Sequence, residues 1–178
     1  EVRRRGNNSI IIQIAGVTAE TSETIKNDII GKTAQLEFKI VDDQSDFFAT
    51  IAPGAPESIT LEQDQFEGQG GGIVSRPFLK GTNKDELRAF LKANPPPPNR
   101  TVAIQEFRAN PTAEPEFHTW LLTRRTPLTG DSLVDAFVNF DSEQNQYTVN
   151  MRLDKKGAVV FEKLTRENVK KKLAVVLD

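Results

Sequence analysis

Cysteine is absent from all 178 residues, so disulfide staples, thiolate metal sites and cysteine nucleophiles are excluded. Histidine occurs once, at His118, which leaves zinc and triad chemistry without their usual partners; tryptophan, tyrosine and methionine are single as well. Charge of one sign is also missing. With 23 basic and 25 acidic residues the formal charge is −2, so no overall field draws the chain to nucleic acid or to anionic lipid. The longest apolar run, Leu173 to Leu177, falls far short of the ~20 residues that cross a bilayer, as does Ile10 to Ile12, and a soluble piece is expected. What the chain does have is length. A compact fold of this size buries roughly 70% of its unfolded surface and needs no covalent staple. The opening Glu1-Val2 and the closing Asp178, directly after an apolar stretch, read as the cut ends of a longer chain.

The clearest pattern closes the sequence. Tyr147, Val149, Met151 and Leu153 alternate with Thr148, Asn150 and Arg152, which predicts a strand with two distinct faces. Asp154 then caps a helix lined by Val160, Phe161 and Leu164, Lys170 to Lys172 suit that helix's negative end, and Leu173 to Leu177 reads as a buried strand. Ser9 to Asp42 repeats this grammar. Ile10 to Ala15 is a β-branched strand, Thr18 caps a helix carrying Ile25, Ile29 and Ile30 that Gly31 ends, and Ala34, Leu36, Phe38 and Ile40 alternate with polar neighbours. Two β-α-β units predict an α+β, ferredoxin-like (βαββαβ) base over 1–42 and 146–178, with its second and third strands paired as a hairpin.

Between them, residues 43–145 are expected to form an inserted head subdomain. Asp42 to about Leu79 reads mainly as loop, with short strands near Phe47 to Ile51 and Ile73 to Val74. A helix follows, capped by Asn83 with Glu86 three residues on, its face carrying Leu87, Phe90 and Leu91 before Pro95 to Pro98 stop it. Strands are predicted over Thr101 to Arg108, Glu116 to Arg125 and Leu133 to Asp141. The two crossings between base and head, Asp42, Asp43 and Gln44 on one side and Asp141, Ser142 and Asn145 on the other, are polar and suit a hinge.

Candidate chemistry is thin. Gly31-Lys32-Thr33 has the tail of a phosphate loop, but Lys26 stands where the leading glycine belongs and a strand follows. The glycines of 68–72 could cradle an anion or simply make a surface loop, and His118 suits a structural place on its strand better than catalysis. Asp42, Asp43 and Asp141 could pair as acid and base, though acidic strand ends are more often solvated turns. Arg3 to Arg5 and Arg124-Arg125 suit a guarded strand edge, lipid headgroups or a partner better than nucleic acid. Arg5, Asn7 and Asn8 carry acylphosphatase-type residue types but precede the first strand without that chemistry's glycine-rich spacing. No catalytic, cofactor or metal-binding residue is assigned. Phe78, Leu79, Leu87, Phe90 and Leu91 could line a groove for an unfolded chain, or pack a small core.

Two stretches carry more than pattern. Gly31 to Asp42, with Arg5-Gly6 and Ile10 to Gly16 upstream, and then Leu128-Thr129-Gly130-Asp131, Asp135-Ala136, Phe140-Asp141, Phe161 to Val169 and Leu173 to Asp178 resemble the SecD family of the bacterial Sec protein-export machinery. Leu128, Thr129, Gly130, Asp135, Phe140, Asp141, Leu164, Thr165, Glu167 and Asn168 carry the resemblance most specifically, whereas Asp43 to Pro127 matches only loosely. The resemblance implies the first large periplasmic domain of a membrane-embedded subunit that works with SecF and the SecYEG channel. Its role there would be to bind unfolded preprotein as it emerges, in proton-motive-force-assisted export and without catalysis. The membrane helices that would carry proton-relay residues are not in this sequence, so no such residue is assigned.

Overall fold

The computed structural model describes residues 2–5, 9–13, 23–24, 26–27, 31, 36–67, 72–108, 112–142, 146–169 and 171–177. In chain order the elements are β1 (Val2–Arg5), β2 (Ser9–Gln13), β3 (Leu36–Ile40), α1 (Phe47–Ile51), β4 (Ile59–Glu67), β5 (Ile73–Gly81) and α2 (Lys84–Ala93). They continue with β6 (Arg100–Phe107), β7 (Glu116–Thr123), β8 (Leu128–Thr129), β9 (Leu133–Asp141), β10 (Gln146–Leu153), α3 (Lys155–Glu167) and β11 (Leu173–Leu177). The fold is mixed α and β with antiparallel sheets, as expected. Two compact units share it: Glu1–Lys39, Thr126–Asn168 and Val175–Asp178 in the first, and Ile40–Arg125 with Val169–Ala174 in the second.

In the first unit β10 is an inner strand of its four-stranded sheet. Val149, Met151 and Leu153 are almost wholly buried, as their alternation predicts, and Leu36, Phe38, Leu128, Ala136, Phe161 and Leu164 are buried in the same unit. Thr148 and Asn150 of the polar series are buried as well, whereas Arg152 is exposed. Asn150 is 1% exposed and donates to the Thr148 hydroxyl, which itself donates to the Asn139 carbonyl, so neither residue goes unsatisfied. The rings of Phe38 and Phe161 meet edge to face at 6.4 Å.

The start of α3 is fastened with little spare space. Asp154 caps it, accepting from the Gly157 amide at 2.6 Å, while the Asp154 amide donates to the Ser132 carbonyl. A β-carbon at position 157 would stand 2.5 Å from that of Ser132, so only glycine allows this approach. The other end closes on itself: the Thr165 hydroxyl donates to the Phe161 carbonyl and the Asn168 side chain to that of Leu164.

The strand order differs from the ferredoxin-like expectation. A ferredoxin-like sheet makes β3 and β10 hairpin neighbours, whereas here β10 lies between β2 and β9 in the order β1-β2-β10-β9, and β3 lies between β11 and β8. Chain closure explains the choice. β9 and β10 are joined by residues 142–145 and pair from Asp141↔Gln146 onwards, while a β3–β10 hairpin would have to close about a hundred residues. The helix expected after Thr18 lies mainly outside the described residues, although Glu23, Thr24, Lys26, Asn27 and Gly31 are helical.

In the second unit a four-stranded sheet, β4-β5-β7-β6, carries α1 and α2 against one face. Phe48, Ile59, Leu79, Leu87, Phe117 and Leu121 form its core. Asn83 caps α2 as predicted, accepting from the Asp85 and Glu86 amides, but Glu86 turns away from the cap and accepts from the Ser58 hydroxyl. Two expectations are corrected. Phe47 to Ile51 is helix rather than strand, because adjacent Phe47 and Phe48 both pack on the core, where a strand would point them apart. The acidic tract read as loop is the nine-residue strand β4, paired from Ile59↔Gly81 to Glu67↔Ile73; β5 supplies its backbone bonds, and its charges suit a sheet edge.

Gly157→Ala should destabilise the chain by about 1–3 kcal/mol, the usual cost of forcing a methyl into a filled space. Denaturant unfolding would measure this, and a pairing variant, Gly157→Ala with Ser132→Gly, should recover most of the loss.

Candidate functional site

The alternation of a strand decides which side chains of the second unit meet. On β5, Leu79 points into the core with the helices, so Arg76, Phe78 and Lys80 stand on the opposite face. Glu62, Asp64 and Phe66 of β4, His118 and Trp120 of β7, and Gln105 and Phe107 of β6 join them there. His118 is flanked by Phe78 at 5.0 Å and Phe107 at 5.1 Å, the latter nearly parallel, and its Nε2 lies 3.4 Å from Glu116. Trp120 donates from its indole to Gln105 at 2.8 Å. Lys80 bridges Glu62 and Glu116 at 3.6 and 3.7 Å. Rings and charges thus alternate across the face.

Its centre is Arg76, 3% exposed. The β5–β7 ladder consists of Lys80↔His118 and Gly81↔Phe117, and beyond it side chains replace backbone pairing. Thr119 accepts the Leu79 amide on its hydroxyl at 2.8 Å, and its carbonyl accepts from the Arg76 guanidinium at 3.2 Å. That guanidinium lies 3.9 Å from the Trp120 ring centre and 3.5 Å from the Asp64 carboxylate, while its Nε has no hydrogen-bond partner among the described residues. Burial pulls the Arg76 pKa down, and the nearby Asp64 and Asp43 carboxylates partly restore it.

Asp64 answers to a second cation. Lys172 reaches the same carboxylate oxygen at 2.5 Å, and its ammonium stands 4.0 Å from the Phe66 ring centre and 5.7 Å from that of Trp120. The Lys172 carbonyl accepts from the Val41 amide at 3.0 Å. Burial raises the Asp64 carboxyl, but the hydrogen bonds and charges of Lys172 and Arg76 outweigh it and leave the group below its ordinary value.

The five candidate contact residues do not share one face. Leu79 and Leu87 are fully buried, Phe90 and Leu91 are half-buried against the same core, and Phe78 lies on the opposite side of the sheet with His118. Of the hinge candidates, Asp42 is held by Arg100 at 2.6 Å, Asp43 is buried near Arg76, and Gln44 is exposed. Asp141 pairs with Gln146, Ser142 is exposed, and Asn145 lies outside the described residues.

Among the residues that carry the SecD resemblance, Leu128 pairs with Phe38 and is buried, Gly130 is buried in a tight turn, and Thr129 donates to Asp131. Asp135 meets Arg152, Phe140 lies against Tyr147 and Glu167 meets Lys163, all three at the surface, while Leu164 is buried. Lys32 and Thr33, Gly68 to Gly71, and Asn7 and Asn8 lie outside the described residues. Among the described residues no three His, Asp or Glu side chains gather as a metal site, and no helix is long and apolar enough to cross a membrane. Sequence reasoning missed the Arg76–Asp64–Lys172 constellation because it treated β4 as loop. The available signal was the matching alternation of Glu62, Asp64, Phe66 with Val74, Arg76, Phe78 around a glycine-rich bend.

Comparison with known proteins gives the class first. Residues 105–178 match a family model described as SecDF, P1 head subdomain, and residues 1–43 match one described as protein translocase subunit SecDF, P1 domain, N-terminal. The chain is therefore a P1 domain of a protein-translocase subunit. Curated relatives narrow this: it is 30% identical to the protein translocase subunit SecD of Anaeromyxobacter dehalogenans over 100% of this chain and 32% of that protein. It is 29% identical to those of Calditerrivibrio nitroreducens and Desulfurispirillum indicum, each over 99% of this chain and 26% of theirs. The chain belongs to the SecD family, and it spans about a quarter to a third of the length of these relatives. No solved structure gives a significant match.

Because the Asp64 carboxyl is lowered in the folded chain, the unfolded chain takes up its proton more readily. The stability it contributes is complete above the ordinary carboxylate range and is lost as pH falls through the lowered folded value. Asp64→Asn should remove that part of the acid limb, so wild-type and variant stabilities measured by denaturant should differ at pH 7 and converge towards pH 2.

Proposed function

We propose that this chain handles unfolded preprotein as a non-catalytic part of a SecD subunit on the periplasmic side of the bacterial inner membrane. SecYEG would deliver the emerging polypeptide, SecF would complete the assembly, and the proton-motive force would drive it. Membership of the SecD family, whose relatives are named protein translocase subunits, is the observation that carries this reading. The ring-lined face of the second unit supports it, since Phe78 and the 45%-exposed Phe107 offer apolar area beside hydrogen-bonding and charged groups. In this reading 1–42 and 146–178 act as base and 43–145 as head, with a hinge at Asp42 to Gln44 and Asp141 to Asn145. An acylphosphatase-type alternative has little support, because Arg5 is part of β1 rather than of a loop after a strand.

Photo-cross-linkers at Phe78 and at Phe90, placed in the full translocase, should trap a chain in transit, with Phe78 the stronger site. Failure at both positions would sink preprotein contact through this domain. Binding of a denatured preprotein to the chain separates a handling module from a spacer: Phe78→Ala should weaken it several-fold, whereas a spacer shows no affinity to lose.

A further inference from the structure

Residues Val169–Ala174 belong to the second unit, although the chain before them, to Asn168, and after them, from Val175, belongs to the first. Helix α3 closes its own end through Thr165 and Asn168, so the lysine pattern that suggests a partner for the helix dipole meets a different use at Lys172. Its ammonium stands among an acidic oxygen and two ring faces: Asp64 at 2.5 Å, Phe66 at 4.0 Å and Trp120 at 5.7 Å. A carboxylate flanked by aromatic faces is the arrangement that selects an ammonium, by charge and by ring quadrupole together. We propose that Asp64, Phe66 and Trp120 form a cage for a primary ammonium whose resident ligand is Lys172, making the stretch that ends at Lys172, just before β11, a releasable strap.

The two cations on Asp64 have unequal standing. Arg76 is 4% exposed along its side chain and is built into the sheet through Thr119, so it stays when the strap leaves. Lys172 is 32% exposed, within reach of salt and water, and its carbonyl accepts from the Val41 amide where β11 begins. Release of the ammonium therefore removes one cation and leaves Asp64 still partnered by Arg76. The closed strap ties down the stretch that leads from the end of α3 into β11. The cage rests on this geometry alone and stands or falls separately from preprotein handling.

Trp120 is the chain's single tryptophan, so its fluorescence reports on the cage directly. In Lys172→Ala the emission should shift to the red, and amide exchange over 169–172 and at Val41 should quicken by about fivefold, the factor that goes with losing a partly exposed ion pair. Millimolar n-butylammonium chloride should reverse the emission shift of this variant, and sodium chloride at the same concentration should not. Unchanged emission and exchange in Lys172→Ala would overturn the cage, as would equal reversal by sodium chloride. If that variant fails to fold, potassium chloride titration of the unaltered chain serves instead. Salt should then move Trp120 emission and 169–172 exchange together at constant far-ultraviolet circular dichroism, and indifference to salt would overturn the proposal.

Discussion

An arginine keeps its proton at any physiological pH, so a buried one obliges its surroundings to supply what water would have supplied. Arg76 makes that demand at the centre of the second unit, and three residues on two strands answer it. Thr119 turns a backbone carbonyl towards it, Asp64 provides a carboxylate from the neighbouring strand, and Trp120 covers it with a ring. Asp43, just after the chain enters this unit, adds its charge. β4 is zipped to β5 and β7 to β6 over long ladders, but β5 meets β7 over two residue pairs. Arg76 adds to that seam, reaching Thr119 of β7 and Asp64 of β4 from β5.

The first unit rests on a different kind of constraint, one of volume. Gly157 permits Ser132 to approach the start of α3, and Asp154 then binds both its own helix and the Ser132 carbonyl. This corner joins the turn after Leu128 and Thr129 to the helix that carries Phe161 and Leu164. Of the residues that connect the chain to the SecD family, Leu128, Gly130 and Leu164 are buried, whereas Asp135, Phe140 and Glu167 are exposed. Family resemblance in this unit therefore spans both its architecture and its surface.

The readable parts of the sequence were those with a local physical signature. Asn83 and Asp154 cap helices because a short polar acceptor before an amphipathic stretch has few other uses, and the alternation of Val149, Met151 and Leu153 returned as buried residues of a strand. What escaped was non-local. Glu62, Asp64 and Phe66 read as loop because the hydrogen bonds that make them a strand come from β5, beyond a glycine-rich bend. Phe47 to Ile51, too short for periodicity to arbitrate, was placed by tertiary packing. The strand order was missed because internal symmetry is a weaker determinant than the short connection between β9 and β10. Lys172 was assigned to the nearest helix, since nothing in sequence announces a partner 108 residues away.

The short β5–β7 ladder has a mechanical meaning. The second unit's sheet is two well-zipped hairpins, β4–β5 and β6–β7, whose shared seam is carried by two residue pairs and by the side chains of Thr119 and Arg76. A tug applied to one hairpin reaches the other through that seam, where side chains bear load that backbone bonds bear elsewhere. In a chain whose relatives are named protein translocase subunits, the sheet's shortest ladder thus lies between its two longest.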